Sequence, residues 1–301
     1  MSASRLPRKR VALIVKRSSY RKFVLEGHDD VVTNLFKKRD PTVGRMKQSH
    51  EDHEGTVTEV EEALEALGAT VVHRGGPHSL IKGKADLVIT VGGDGTLLDA
   101  SHMIGANTPL LGINSAPASS IGFFCGGVKG EAKATLARAF AGKLSSATLS
   151  RMCVELNGKV LQARVLNEAL FCHASPAATS RYILELPAGK EDQRSSGLWI
   201  GPAAGSTAAQ KSAGGKVLKL ESENIQYVVR EPYKPAGGQF RWARGLIRDG
   251  EELILRSKMR DAKVFLDGHR LVFNVTMGDV LVMRRSNEPL TVLGISKKRR
   301  T

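Results

Sequence analysis

The first 145 residues alternate short apolar runs with longer stretches of mixed polarity. Residues 11–15 and 87–91 are continuous apolar runs, which are typical of buried strands in a parallel sheet. Between them, apolar residues recur at helical spacing over 57–67, and Gly68 ends that pattern. The same reasoning predicts a helix over 96–104, a strand over 109–113 and a helix over 131–141. This alternation predicts an open, mostly parallel, Rossmann-like α/β domain over residues 1–145.

After about residue 145 the pattern changes to short β-rich runs with few helix signals. Residues 148–156 and 159–166 flank Asn157-Gly158, a pair that favours the type I′ turn of a β-hairpin. Further strand-like runs occupy 182–186, 225–229, 253–255, 263–266, 271–275, 280–283 and 291–293. Residues 146–286 are therefore expected to form a second, β-rich and mainly antiparallel domain. The length of 301 residues also favours two domains.

The segment 29–54 is polar and only weakly periodic, so we expect a mobile loop or a partly ordered insertion there. It holds His50 and His53, three residues apart, a spacing that raises the question of a metal site. No cysteine lies at ligand spacing and the acidic neighbours have the pattern of solvated residues. A zinc site is therefore not favoured, and the sequence gives no side-chain motif for any metal.

The net charge of +15 is concentrated at the two ends of the chain. Residues 1–22 contain eight Lys and Arg and no acidic residue, and 297–300 contain four more, so 33 basic residues face 30 acidic ones elsewhere. Nucleic-acid binding surfaces usually cluster such charges on a folded face with stacking aromatics, whereas aromatic content here is 5%. Nucleic acid is therefore an unlikely partner, and the basic ends are expected to be solvated tails.

Cysteine use and hydropathy bear on location. Cys125, Cys153 and Cys172 are far apart and odd in number, without a C-x-x-C pair, which fits a reducing compartment. No run of about 18 apolar residues exists, so no membrane span is expected. The basic start leads directly into the apolar run at 11–15, unlike a signal peptide. A cytoplasmic location is the expectation.

A glycine-rich bend joins the strand at 87–91 to the next helix, and it reads Gly92-Gly93-Asp94-Gly95-Thr96. Such a bend leaves backbone N–H groups open to a phosphate and adds the positive end of a helix. A carboxylate repels phosphate, so Asp94 makes sense if it takes a proton from an attacking hydroxyl or works through Mg²⁺. The alternative is a plain glycine turn in which Asp94 only caps the helix at Thr96. Asp99 is expected to be an ordinary helix residue.

Two more segments have the composition of binding sites. Gly205-Ser206-Thr207-Ala208-Ala209 carries small hydroxyl residues between glycines, which can surround a ribose or an amide with donors. Asn167-Glu168 follows a predicted strand and can bind sugar hydroxyls and a base edge. Taken alone, the first is equally a flexible loop and the second a solvated strand end.

Together these segments resemble the NAD kinase family. The family's signature is matched at 92–96, although diacylglycerol and sphingosine kinases share it. The later elements separate these families. They are Gly112-Ile113-Asn114 with Gly122-Phe123, then Asn167-Glu168, then Gly205-Ser206-Thr207-Ala208, then Asp267-Gly268 with Gly278-Asp279-Val280. The resemblance runs from about residue 56 to 296.

Two departures from the family pattern point to the branch that includes the mitochondrial NAD kinases. Most members have Asp-Gly before the G-S-T-A loop and a Tyr after it, where this chain has Ser196-Gly197 and Ala209. The link over 115–120 is also longer than usual. The missing Asp and Tyr normally face the nicotinamide end of the dinucleotide.

The resemblance implies transfer of the γ-phosphoryl group of ATP to the 2′-hydroxyl of the adenosine ribose of NAD or NADH. ATP phosphates would lie over Gly92, Gly93, Gly95 and Thr96, Asp94 would be the catalytic residue, and Mg²⁺ would arrive with ATP. NAD-binding residues would be Asn114, Phe123, Asn167, Glu168, Ser196, Thr207, Ala208 and Ser212. The resemblance also implies that 287–301 returns to the first domain and that the protein is a homo-oligomer. A lipid kinase and a non-catalytic NAD(H) sensor remain as alternatives.

Overall fold

The computed structural model describes residues 9–81, 83–233 and 240–296. The chain divides into two compact units, one running to Ala147 and including Thr291–Ser296, the other covering Thr148–Leu290. Of the two basic ends, segments 1–8 and 297–301 lie outside the described residues. The expectation of a solvated tail is wrong for the rest of the first end, because Arg10 begins a buried strand and is bonded to Asp86, and Arg17 and Arg21 pair with acidic residues. No helix in the described ranges is long and apolar enough to cross a membrane.

The N-terminal unit is built on a seven-stranded sheet with helices. Its elements in chain order are β1 (Arg10–Val15), α1 (Asp30–Lys37), α2 (Met46–Ala66), β2 (Thr70–Gly75), β3 (Leu87–Gly92), α3 (Asp94–Ser101), β4 (Leu110–Asn114), β5 (Cys125–Val128), α4 (Ala132–Phe140) and β6 (Ser146–Leu149). Strands β1 to β5 pair in parallel. The apolar runs predict β1, β3 and β4, whereas β2 and β5 were not predicted. Leu13, Ile89 and Ile113 from the sheet pack with Leu64 and Leu136 from α2 and α4.

The C-terminal unit contains two six-stranded sheets. Its elements are β7 (Met152–Leu156), β8 (Lys159–Val165), β9 (Ala169–His173), β10 (Ser180–Leu186), β11 (Gly189–Ser195), β12 (Gly197–Pro202), α5 (Ala209–Ser212), β13 (Ile225–Arg230), β14 (Arg244–Ile247), β15 (Glu252–Ser257), β16 (Ala262–Leu266), β17 (Leu271–Val275) and β18 (Val280–Arg285). The last strand, β19 (Leu290–Leu293), lies beside β4 in the N-terminal sheet. The strand orders are β11-β10-β15-β18-β7-β8 and β14-β13-β12-β9-β16-β17, and the pairings are antiparallel. The predicted fold class, α/β followed by β, is confirmed.

The hairpin turn at Asn157-Gly158 has the predicted form. Both residues have positive φ, 51° and 78°, as the two central positions of a type I′ turn require. The strand before the turn is shorter than predicted, because 148–156 is split between β6 and β7, which belong to different sheets. Between the two strands the fully buried Arg151 donates hydrogen bonds to the carbonyl oxygens of Glu288 and Pro289.

The expectation of a loop or insertion over 29–54 is wrong, because this segment is mostly helical. Asp29 caps α1 by accepting a hydrogen bond from the Val32 N–H at 3.0 Å. Helix α2 then begins at Met46, well before the apolar period at 57–67. Its earlier turns bury polar residues, His53 and Thr56, at 2% and 1% exposure, so no apolar period marks them. Buried hydrogen-bonded side chains concealed this part of the helix.

Candidate functional site

The glycine loop lies where β3 ends and α3 begins, at the carboxyl edge of the parallel sheet. An added Cβ on Gly92 would collide with the Thr96 side chain, and one on Gly93 would collide with the Ser120 hydroxyl. Gly95 is exposed and faces open space. Close packing therefore favours glycine at 92 and 93, and Gly95 leaves the start of the helix accessible to a ligand.

The carboxylate of Asp94 organises a second segment of the N-terminal unit. Its two oxygens accept hydrogen bonds from the Phe123 and Phe124 N–H groups, each at 2.8 Å. The capping alternative is not what the structure has, because the N-cap of α3 is Gly93 and no side chain caps it. Each carboxylate oxygen accepts one N–H group here and retains a second lone pair. Asp94 is thus held in one orientation, with acceptor capacity left for a substrate hydroxyl.

Asn114, at the end of β4, is hydrogen-bonded to the segment 116–120, which leads to Phe123 and Phe124. Its Nδ2 donates to the Ser120 carbonyl oxygen at 2.9 Å, and its Oδ1 accepts the Ala116 N–H at 3.3 Å. Gly122 has a φ of 66° and lies so close to the Asn114 side chain that a Cβ would not fit. The observed contacts of Asn114 shape the loop, and its predicted role in binding NAD is not tested by them. Phe123 is half-buried, with its ring edge-on to Phe124 at 5.1 Å.

Hydrogen bonds of His50 and His53 hold this region together. His53 lies between the Lys16 carbonyl oxygen and the Ser115 hydroxyl, at 2.8 Å from each. Burial lowers the pKa of His53, which favours the neutral ring that such a pair of contacts needs. His50 Nδ1 lies 2.9 Å from the Ser18 hydroxyl. The described part of the chain contains no group of three or more His, Cys, Asp or Glu side chains arranged for a metal.

In the C-terminal unit, Asn167 and Glu168 follow β8 and are held by a carboxylate about 100 residues away. Asp267, in the turn after β16, accepts hydrogen bonds from the N–H groups of Leu166, Asn167 and Glu168 at 2.8, 2.7 and 3.1 Å. Asp267 itself has a φ of 49°, and its N–H donates back to the Glu168 carbonyl oxygen at 2.9 Å. The sequence marked Asp267-Gly268 only as a motif, and its role as the clamp of this segment was not predicted.

Three buried polar atoms at this position have no hydrogen-bond partner among the described residues. They are Asn167 Oδ1, Glu168 Oε2 and Gln210 Nε2. Burial, and then the nearby charge of Asp267, raise the pKa of Glu168 to about 7. Unpaired buried polar groups cost roughly 1–3 kcal/mol each, so a cluster of two acceptors and a donor points to a polar ligand.

The G-S-T-A loop packs directly on this cluster. A Cβ on Gly205 or on Gly201 would collide with the Asn167 carbonyl oxygen, so both positions must be glycine. The Cβ of Gly201 would also lie 2.8 Å from Gln210 Nε2 and from the Glu168 Cα, which places these groups together. Gln210 is fully buried, and its Oε1 accepts from Gln226 Nε2 at 3.0 Å. Sequence reasoning missed Gln210, because no local pattern distinguishes it from its neighbours.

Comparisons with known proteins identify relatives of this chain. The family model described as the ATP-NAD kinase N-terminal domain matches residues 7–144. The chain is 34% identical over 217 residues to the probable NADH kinase of Oryza sativa subsp. japonica, covering 65% of this chain and 67% of that protein. It is 33% identical over 243 residues to the NADH kinase of Arabidopsis thaliana, covering 71% and 75%. The chain belongs to the NAD kinase family.

Archaeal members of the NAD kinase family extend the comparison. The NAD kinase of Methanoculleus marisnigri is 31% identical over 238 residues, covering 75% of this chain and 83% of that protein. A crystal structure of an NAD kinase from Archaeoglobus fulgidus in complex with ATP superposes with a TM-score of 0.67. That match covers 94% of this chain and 92% of the other at 19% sequence identity, and it supports the fold.

The remaining residues expected from the NAD kinase family lie at more than one place in the C-terminal unit. Thr207 is half-buried beside Gly205, whereas Ala208 and Ser212 are exposed at and after the start of α5. Ser196 lies just before β12, and its N–H donates to the Arg230 carbonyl oxygen at 2.9 Å. It is five residues, or about 17 Å along the strand, from Gly201 at the other end of β12. Asn167, Glu168 and the G-S-T-A loop are brought together, and Ser196 is separate from them.

Proposed function

We propose that this chain transfers the γ-phosphoryl group of ATP to the 2′-hydroxyl of the adenosine ribose of NAD or NADH, giving NADP(H) and ADP. The observation that carries the proposal is a set of three buried side-chain atoms, Asn167 Oδ1, Glu168 Oε2 and Gln210 Nε2, which have no hydrogen-bond partner among the described residues. A sugar with vicinal hydroxyls supplies donors and acceptors to such a cluster, whereas the acyl chains of a lipid supply none. Membership in the NAD kinase family agrees with this and argues against a lipid kinase.

On the donor side, the start of α3, which is exposed at Gly95, suits the phosphates of ATP. These roles are assigned to Gly92, Gly93, Gly95 and Thr96. We expect magnesium to arrive with the donor and to be held mainly by the donor's phosphate oxygens. Magnesium bound there would neutralise phosphate charge, and we propose that the reaction requires it.

At the reacting centre, Asp94 is assigned as the proton acceptor. The 2′-oxygen of the ribose forms a bond to the γ-phosphorus, the bond from that phosphorus to the β-bridging oxygen breaks, and ADP leaves. The hydroxyl proton passes to a carboxylate oxygen of Asp94. The N–H groups of Phe123 and Phe124 fix the direction of that carboxylate, which a positioned base requires.

On the acceptor side, Glu168 and Asn167 are assigned to the adenosine ribose and base edge. Phe123 is assigned to the adenine, and Asn114 to the shape of the loop that carries Phe123. Thr207 and Ala208 are assigned, like Asn167 and Glu168, to the adenosine part of the dinucleotide. Ser212 and Ser196 are assigned towards the diphosphate and nicotinamide end. A neutral serine in place of the family's aspartate removes a charge that would favour the positive ring of NAD, so NADH should be a substrate.

We also propose a cytoplasmic location and a homo-oligomeric state. The three cysteines form no disulfide within the described residues, and Cys125 and Cys153 are buried, which fits the expected cytoplasmic location. A homo-oligomer is expected from the family resemblance, and the mass of the purified protein in solution tests it.

The substrate range tests the proposed reaction. The purified protein is incubated with ATP and Mg²⁺ and with NAD, NADH, a diacylglycerol, or NAD that lacks the adenosine 2′-hydroxyl. Phosphorylated product is expected with NAD and NADH alone. Product from the 2′-deoxy dinucleotide would contradict the assigned acceptor atom, and product from the lipid would contradict the assigned substrate class. Binding of NAD(H) without any product would mean that the chain is a sensor.

A further inference from the structure

A polar cavity of about 400 Å³ opens at the carboxyl end of β1, in the N-terminal unit. Its described lining is rich in hydroxyl groups and contains two cationic residues, and none of its described lining residues is acidic. These residues are Lys16, Ser18, Ser19, Pro41, Thr42, Arg45, Met46, Ser49 and Ser119. Most of one wall comes from the segment that joins α1 to α2. The composition suits an anionic ligand with many oxygen atoms.

Lys16 and Arg45, the two cations of this cavity, form no ion pair with any residue in the described part of the chain. Some cations of the same unit are paired, as Arg17 is with Glu26, Arg21 with Glu54 and Lys47 with Glu51. Others, such as Lys38 and Arg39, form no ion pair there either, so what sets the cavity apart is that both of its cations lie among hydroxyl groups.

The cavity borders the glycine loop. The Lys16 N–H donates to the Val91 carbonyl oxygen at 2.9 Å, and a Cβ on Gly92 would lie 3.1 Å from the Lys16 Cβ. At the other side, Ser119 precedes Ser120, whose hydroxyl packs against Gly93. A phosphate chain that begins over the glycine loop can therefore continue into the cavity.

Hydrogen bonds hold the walls of the cavity in place without a ligand. His53 binds the Lys16 carbonyl oxygen, and His50 contacts the Ser18 hydroxyl. The Thr42 hydroxyl donates to Asp40 at 2.6 Å, and that contact helps to lower the pKa of Asp40. Asp40 Oδ1 accepts from both the N–H and the hydroxyl of Thr42, which fixes the turn that carries this wall of the cavity.

We propose that this cavity binds the polyphosphate tail of the donor nucleotide, with Lys16 nearest the transferred phosphoryl group and Arg45 further along the tail. The inference rests on the proposed kinase function and extends it to residues outside the glycine loop. Phosphoryl transfer requires positive charge around the phosphates, and the side chains of 92–96 provide none. Lys16 and Arg45 supply that charge.

The first test compares Lys16→Gln and Arg45→Gln with the matched control Lys47→Gln. Lys47 is exposed, lies two residues after Arg45 and is already near a carboxylate. Each cavity variant is expected to raise the KM for ATP about tenfold or more, because a charged hydrogen bond is worth about that factor. The KM for NADH should stay within about twofold in the variants, and Lys47→Gln should change neither constant. Equal rises in both constants, or none, would overturn the inference.

The second test measures binding without turnover, so that it does not depend on catalysis. Calorimetry with ATP, inorganic tripolyphosphate and adenosine should show weaker ATP and tripolyphosphate binding in both variants and unchanged adenosine binding. Weakening of adenosine by the same factor would mean that the cavity takes the nucleoside, which overturns the proposal. Thermal unfolding midpoints within a few degrees of wild type confirm that the variants fold.

The two proposals fail in distinguishable ways. NADP(H) formation with an unchanged KM for ATP in both variants would leave the proposed function standing and remove the cavity site. Tripolyphosphate binding that depends on Lys16 and Arg45, in a protein that makes no NADP(H), would leave the cavity site standing and remove the proposed function.

Discussion

Asp94 in the N-terminal unit and Glu168 in the C-terminal unit are both carboxylates assigned to the same reaction, and their surroundings are opposite. Each Asp94 oxygen accepts a backbone N–H group at 2.8 Å. Glu168 has a buried oxygen without a partner in the described residues, and its pKa is raised to about 7. Both oxygens of Asp94 are hydrogen-bonded in the free protein, and the carboxylate is positioned to accept a proton. One oxygen of Glu168 is not hydrogen-bonded there, and a ligand that donates a hydrogen bond would pair with it.

The largest expected effect concerns Asp94. Asp94→Asn should lower turnover by about 10²–10⁴-fold, the usual cost of removing a general base. From the sequence, the isosteric amide is expected to preserve the loop. The structure adds a cost, because the new amide NH₂ would face one of the two N–H donors of Phe123 and Phe124.

Asp99→Asn, on the same helix, is the control for Asp94→Asn and should stay within about twofold of wild type. Turnover is measured together with the thermal midpoint, which separates lost chemistry from a displaced loop. Turnover of Asp94→Asn within about threefold of wild type would remove this residue from the mechanism.

The clamp under Asn167-Glu168 gives the next effect. Asp267→Asn can no longer accept all three N–H groups, so the segment should lose its fixed conformation. The KM for the dinucleotide should rise about tenfold or more while the KM for ATP changes little. Asp279→Asn is the matched control, because Asp279 also accepts a backbone N–H in a turn of the same unit. An equal rise in both KM values would contradict a role confined to the acceptor.

Glu168→Gln should likewise raise the KM for the dinucleotide far more than that for ATP. A hydrogen bond from a sugar hydroxyl to a charged carboxylate contributes roughly 1.5–3 kcal/mol, and the amide loses most of it. Steady-state kinetics with each substrate varied in turn measures the two constants. Parallel rises in both would show that Glu168 does not bind the acceptor.

The same substitution should make the free protein more stable at high pH. The folded pKa of Glu168, about 7, lies above its ordinary value of 4.5, so the folded state favours the protonated form. Wild-type stability from this group is fully present below pH 4.5 and is lost as the pH rises through 7. Glu168→Gln should therefore gain about 1–3 kcal/mol relative to wild type between pH 4.5 and 8. Denaturant unfolding at both pH values measures this, and an equal difference at both would contradict the buried unpaired carboxylate.

The smallest effect is expected at Ser196, which lies just before β12, at the opposite end of that strand from Gly201. Ser196→Asp should shift the ratio of kcat/KM towards NAD by about 1 kcal/mol or less, because the site is partly exposed and screened. Ser196→Asn is the neutral control of the same shape. If the ratio of kcat/KM for NAD to that for NADH changes equally in both variants, or in neither, charge at position 196 is not the basis of the preference between NAD and NADH.

The sequence predicts those parts of the site whose residues are consecutive in the chain. The glycine bend at 92–96 and the pair Asn167-Glu168 are consecutive residues beside strands, so their positions follow from short-range pattern. The bonds that set their state are long-range. Asp94 binds N–H groups 29 and 30 residues away, and Asp267 binds N–H groups 99 to 101 residues away. Hydrogen bonds between residues so far apart in the chain do not change the local hydropathy pattern or the spacing of motifs, so they could not be predicted.

The errors in predicted structure have a related cause. In α2 the buried side chains of His53 and Thr56 are polar and satisfied by hydrogen bonds, so the early turns lack the apolar period that indicates a helix. At the boundary of β6 and β7, the buried Arg151 interrupts an apolar alternation that otherwise reads as one strand. A hydropathy pattern does not reveal polar side chains that are buried and hydrogen-bonded. Both errors lie at side chains of this kind.

The most direct test of the account follows ADP and NADP(H) in one sample of the purified protein with ATP, Mg²⁺ and NADH. The account predicts that the two products accumulate in a one-to-one ratio and that both depend on NADH. ADP formed without NADPH would mean that water, rather than the 2′-hydroxyl, receives the phosphoryl group. The absence of both products from a folded protein that binds NADH would contradict the claim that this chain is a kinase.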